Sequence, residues 1–69
     1  MKVKDIKVGV RVQSKVNFWS VRIGDVGTVL EDATDVPYVQ WDREDANCTV
    51  YDGAPCTALW HYQLRKYKE

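Results

Sequence analysis

The sequence predicts an all-β fold, a small barrel of five short strands with one 3₁₀ turn before the last. Three observations carry this expectation. Apolar, mostly β-branched residues alternate with polar ones at period two. Turn residues interrupt the alternation at roughly the 8–12-residue spacing of small barrels and sandwiches. No stretch carries the pattern of a long amphipathic helix.

Taken in order, residues 1–7 lead in, with Val3 and Ile6 as packing residues. Val8, Val10 and Val12 alternate with Gly9, Arg11 and Gln13, which predicts a first strand with one buried face. The alternation breaks over residues 14–25 (SKVNFWSVRIGD), an irregular loop carrying two adjacent aromatics. Gly24 and Gly27 mark backbone conformations or close approaches that a side chain would hinder. Residues 27–31 form the second strand, and Asp32-Ala33-Thr34-Asp35 a turn whose side chains bond nearby backbone.

The third strand spans 36–41, with Pro37 at its start, where a missing N–H is tolerated. Val39 and Trp41 share its inner face, Tyr38 and Gln40 its outer face. Val29 is expected to pair with Val39 in the core, Trp41 to fill the barrel, and Asp42 to bond turn backbone. DREDAN (42–47) reads as a solvated charged turn. Residues 48–51 form a fourth strand, ended by the turn Asp52-Gly53-Ala54-Pro55. Residues 56–63 have room for one helical or 3₁₀ turn, residues 64–67 make the last strand, and residues 66–69 are expected to fray.

Sixty-nine residues make one domain, near the lower limit for folding without disulfides or metal. Eight of them are aromatic. A core this small yields about 3–5 kcal/mol net, so most of the aromatics are expected to be structural. No apolar run reaches a membrane span and no export signal opens the chain, which predicts a cytoplasmic protein with reduced thiols, no membrane contact and a stand-alone accessory role.

Net charge is zero but unevenly spread. Residues 1–23 carry six basic groups against one acid, residues 24–58 eight acids against Arg43, and residues 59–69 three basic groups against Glu69. If the two ends meet, the molecule has a basic face and an acidic one. Neutrality speaks against strong non-specific nucleic-acid binding.

Gly9-Val10-Arg11-Val12, Gly24-Asp25-Val26-Gly27-Thr28-Val29, Val39-Gln40-Trp41-Asp42, Tyr51 and Leu64-Arg65 together resemble SH3-like small barrels. The likeness covers about residues 8–67 and is greatest to the MIB/HERC2 type, with Tudor and KOW domains more distant. It implies a partly open five-stranded barrel whose ends lie close. It also implies that peptide, protein or nucleic acid is bound through loop aromatics on one side.

Phe18 and Trp19 are the leading partner-binding candidates. Adjacent aromatics cannot both point inward from a regular strand, and an exposed loop aromatic suits partner binding or base stacking. On the competing reading, the loop folds over the barrel end. Tyr38 and Tyr62 are secondary candidates for the same surface. Lys4, Lys7, Arg11, Arg65 and Lys66, with Lys2, are the candidate nucleic-acid contacts.

Cys48, Cys56 and His61 have the spacing C-x7-C-x4-H, with no CxxC pair and no obvious fourth ligand except Asp52. No metal, cofactor or catalytic residue is expected, and the cysteines read as free small hydrophobes. A Cys48–Cys56 disulfide across a hairpin is the alternative. The acidic turn lacks an EF-hand pattern, and the glycines lack the helix and lysine of a phosphate loop. The function expected is a non-enzymatic module binding protein or peptide through loop aromatics. The rivals are nucleic-acid binding through the basic ends and a structural or oligomeric subunit pairing through a barrel edge.

Overall fold

The computed structural model describes residues 1–47, 49–51 and 54–68, the side chains at 49–51 and 54–56 excepted. The chain is all-β. Its strands are β1 (Arg11–Ser14), β2 (Val26–Val29), β3 (Tyr38–Trp41), β4 (Thr49–Tyr51), β5 (Ala54–Ala58) and β6 (Leu64–Lys66). Three 3₁₀ turns, Val3–Asp5, Glu44–Ala46 and His61–Gln63, separate them; the last directly precedes β6, as expected.

Five antiparallel strands form one sheet in the order β5-β3-β2-β1-β6, and β4 is attached to β5 as a hairpin. No pairing among the described residues joins either end of this order to the other, so the hydrogen-bonded sheet is open. It is nevertheless curled. Leu64 of β6 and Leu59, just after β5, lie in one core cluster although their strands are at opposite ends of that sheet.

Alternation sets the inner face. Val12, Val29, Val39 and Trp41 point inward and are buried, as are Ile6 from the lead-in, Val21 from the first loop and Ala46 from the second 3₁₀ turn. Each large aliphatic side chain removed from water contributes roughly 1.5–3 kcal/mol. Val29 pairs with Val39, as the alternation predicts, and Gly27 lies opposite Trp41.

Four expectations are corrected. Ala54–Ala58 is a strand, although Ala54-Pro55 reads as part of a turn. Pro55 is tolerated because β3 pairs only with Thr57 and Ala58 of β5, leaving Pro55 past the end of that ladder. The first strand starts later than the valine alternation suggests: Gly9 sits at φ +92 in a turn, and Val8 is exposed.

DREDAN is more than a solvated turn. Ala46 is buried, and Asn47 accepts from the Trp41 N–H at 2.9 Å while donating to the Trp41 carbonyl at 3.0 Å, closing the strand end. Lys66 belongs to β6, and the Tyr67 N–H donates to the Arg11 carbonyl at 2.9 Å, so the ladder continues where fraying is expected.

The glycines divide by cause. Gly24 takes φ +94, a conformation costly for other residues. Gly27 allows close approach, because a Cβ there would fall 2.6 Å from Val39 Cγ1, 2.7 Å from the Gln40 carbonyl oxygen and 3.0 Å from Trp41 Cε3. Gly27→Ala is therefore expected to cost about 1–3 kcal/mol through overpacking, read as a lower urea midpoint; an unchanged midpoint would refute the close approach.

Candidate functional site

The loop between β1 and β2 is an ordered arm. Buried Ser14 ends β1 by donating from Oγ to the Val16 carbonyl at 2.6 Å, and Asn17 Oδ1 accepts from the Ile23 N–H at 3.0 Å. At its tip Phe18 and Val21 exchange both backbone hydrogen bonds at 2.8 Å, leaving Trp19 and Ser20 as a two-residue turn. Trp19 has φ +54, as a primed hairpin turn demands of its first central residue, a place where glycine is usual. A bulky residue there holds about 1–3 kcal/mol of strain.

Trp19 is nonetheless 81% exposed, and Phe18 is 37% exposed. Their rings meet edge to face at 6.2 Å. Val21, at 1% exposure, is the residue that this loop sends into the core. The loop therefore covers the core and displays an aromatic pair at once.

Two ion pairs brace this part of the molecule. Arg43 reaches Asp25 through Nε at 3.1 Å and Nη2 at 2.7 Å, and the same Nη2 donates to the Ser20 carbonyl at 2.7 Å. It thus ties the aromatic turn to the second 3₁₀ turn. Asp25 also accepts from the Arg22 N–H at 2.8 Å. Arg11 forms a two-pronged pair with Asp42 and donates to Thr28 Oγ1 at 2.8 Å. Asp42 consequently serves a cross-strand arginine and not the turn backbone, a correction that alternation could not reveal. The Arg43 hydrogen bonds hold the Asp25 carboxyl below its ordinary value of 3.8, and those of Arg11 do the same for Asp42, burial opposing in both cases.

Tyr62 lies in a second aromatic group, in the 3₁₀ turn His61–Gln63. It is 57% exposed and stacks on exposed Trp60 at 5.9 Å and 24°, with His61 edge-on at 5.5 Å. Tyr38 is elsewhere, half-buried on β3 opposite Ala58, its N–H donating to Glu31 Oε1 at 3.2 Å. The four aromatic candidates therefore sit on three separate elements, with Phe18 and Trp19 the one pair of candidates in ring contact among the described residues.

The basic ends do meet. β1 pairs with β6 antiparallel, Val12 opposite Lys66 and Ser14 opposite Leu64. The Met1 amine donates to the carbonyls of His61 at 3.0 Å and Leu64 at 2.8 Å. The Met1 carbonyl oxygen lies 2.7 Å from His61 Nδ1; since the carbonyl can only accept, Nδ1 carries the proton. Between these elements opens a cleft of about 730 Å³, lined by Lys2, Lys4, Lys7, Lys15, Arg65 and Lys66, with Asp5 its one acid and Met1, Val10 and Leu64 completing the lining. Burial, and then the nearby Lys15 ammonium, push the Met1 amine below its ordinary value of 8.0.

Of the candidate cations, Lys4, Lys7, Arg65 and Lys66 line this cleft, whereas Arg11 does not and is engaged by Asp42. Lys15 and Trp60 are additions. Lys15 could have been found from its place beside the β1 end that meets Leu64; nothing in the local sequence marks Trp60. Cys48, Asp52 and the Cys56 side chain lie outside the described residues, and with them the metal and disulfide readings. No helix among the described residues is long and apolar enough to cross a membrane. No family model matches the chain, and no curated protein or solved structure does either.

Trp41, at 3% exposure, donates its indole N–H to the Thr57 carbonyl at 3.2 Å. Trp41→Ala is expected to cost about 3–5 kcal/mol and Trp19→Ala under about 1 kcal/mol in chemical denaturation; comparable losses would show that the turn tryptophan is a packing residue. Because both aspartates are held below 3.8, their stabilisation is complete well above that value and fades as acid lowers the pH through their folded-state values. In urea titrations from about pH 7 to about pH 2, the stability gap between the native chain and Asp25→Asn should narrow in acid; a gap independent of pH would contradict the pairing.

Proposed function

We propose that this chain is a non-enzymatic binding module that takes an apolar peptide segment of a partner protein on the Phe18–Trp19 turn. One observation carries the reading: a tryptophan held at positive φ in a two-residue turn, and left exposed there. Strain at a bulky residue that contributes little to the core is the mark of a side chain kept for display. The support beneath it is consistent with that role. Arg43 and the Phe18–Val21 bridge hold the turn in place before any partner arrives, which reduces the ordering cost of binding. Ile23, in the same loop, is a further exposed apolar residue. Tryptophan is also the residue type most often found at the energetic centre of protein interfaces.

A selection from displayed random peptides supplies the test. Selected peptides should be apolar in character and should bind with little dependence on salt. Trp19→Ala should weaken them by at least about tenfold while leaving the fold intact. Peptides whose affinity survives Trp19→Ala, or falls steeply with salt, would place recognition elsewhere.

A further inference from the structure

The cleft between the chain ends carries a separate inference, beyond peptide recognition and independent of it, since no residue of the Phe18–Trp19 turn lines it. We infer that this cleft binds single-stranded nucleic acid, the phosphate backbone running over its lysines and the bases stacking on the Trp60–Tyr62 pair.

Six cations face one acid in the cleft. Among the described residues the ion pairs are Arg11–Asp42 and Arg43–Asp25, both away from the cleft lining. The acids nearest these arginines are thus occupied, and the cleft keeps a concentrated positive field in a chain of zero net charge.

Five of the six cations are lysines, compact point charges that attract an anionic chain through charge and not through a fixed bidentate geometry. The sixth, Arg65, donates its Nε to Gln13 at 2.9 Å. Such a set suits the sequence-independent contacts that neutralise a line of phosphates, and the neighbouring aromatic faces are what favour a nucleic acid over an acidic peptide.

The 3₁₀ turn His61–Gln63 does not line the cleft but is bonded to two residues that do: to Met1 through His61, and to Lys15, whose N–H donates to the Gln63 carbonyl at 2.9 Å. Trp60 and Tyr62 belong to this neighbouring turn, exposed and already stacked, and the Trp60 N–H is fixed by Gln63 Oε1 at 2.9 Å. A cationic groove beside exposed aromatic faces is how single strands are held without sequence reading, and paired bases could not use those faces.

Fluorescence anisotropy with labelled oligothymidylate and oligouridylate of about 12 nucleotides, a site-sized length, tests the assignment. Affinity should fall by about two to three orders of magnitude between about 50 and about 200 mM salt, and Lys4→Ala and Lys66→Ala should each lower the log–log slope by about 0.7. Tyr62→Ala, at an exposed position, should weaken binding by about tenfold, and Trp19→Ala should not change it.

Four results would overturn the inference. They are no binding at the lower salt, affinity indifferent to salt, equal binding of polyglutamate, and equal binding of duplex with no effect of Tyr62→Ala. Loss on Trp19→Ala would move the stacking surface to the first loop and refute the role given to Trp60 and Tyr62.

Discussion

The sheet is organised by the contact of Trp41 with Gly27. These residues are opposite each other on neighbouring strands, and the indole, with Val39 Cγ1 and the Gln40 carbonyl oxygen, occupies the space that a side chain on Gly27 would need. From there the indole N–H reaches the Thr57 carbonyl and so sets where β5 lies against β3. Asn47 closes the end of β3 by bonding both backbone groups of Trp41, and Thr57 Oγ1 donates to the Ala46 carbonyl at 3.2 Å. One end of the molecule is therefore assembled around a single aromatic residue. In so small a core, a close approach of this kind supplies the packing that additional residues would supply in a larger domain.

Charge is sorted by the same topology. Arg11 and Arg43 each face a carboxylate, Asp42 and Asp25, across strands or between loops. Antiparallel pairing of β1 with β6 brings the two lysine-rich ends together, away from those acids. A neutral chain can thus present a strongly basic cleft. Net charge describes solubility and long-range behaviour, while the field met by a ligand is local.

The two exposed aromatic groups differ in how they are held. Trp19 is forced outward by a hairpin tip whose geometry suits glycine, and Val21 gives the loop its hold on the core. Trp60 precedes, and Tyr62 belongs to, a 3₁₀ turn pinned from both sides, by the Met1 amine to the His61 carbonyl and by the His61 N–H, which donates to the Asp35 carbonyl at 2.8 Å. In neither case does an exposed ring depend on its own burial for its position. That independence lets a marginally stable domain carry apolar groups in water.

The sequence by itself determined the class of fold, the inner faces of β2 and β3, the inward placement of Trp41 and the special roles of Gly24 and Gly27. Period-two alternation and glycine punctuation are local signals, readable without knowing what lies across the sheet. It also carried the charge segregation that makes a basic face available. The strand 54–58 was not legible, because Pro55 reads as turn chemistry until the extent of the β3 ladder is known. Nor was the role of Asp42, whose partner Arg11 is 31 residues away. The tertiary structure alone decided which aromatics share a surface: it separated Tyr38 from the Phe18–Trp19 pair and set Trp60 against Tyr62. It also replaced Arg11 by Lys15 in the cleft, for a side chain's availability depends on which neighbours the register of distant strands brings beside it.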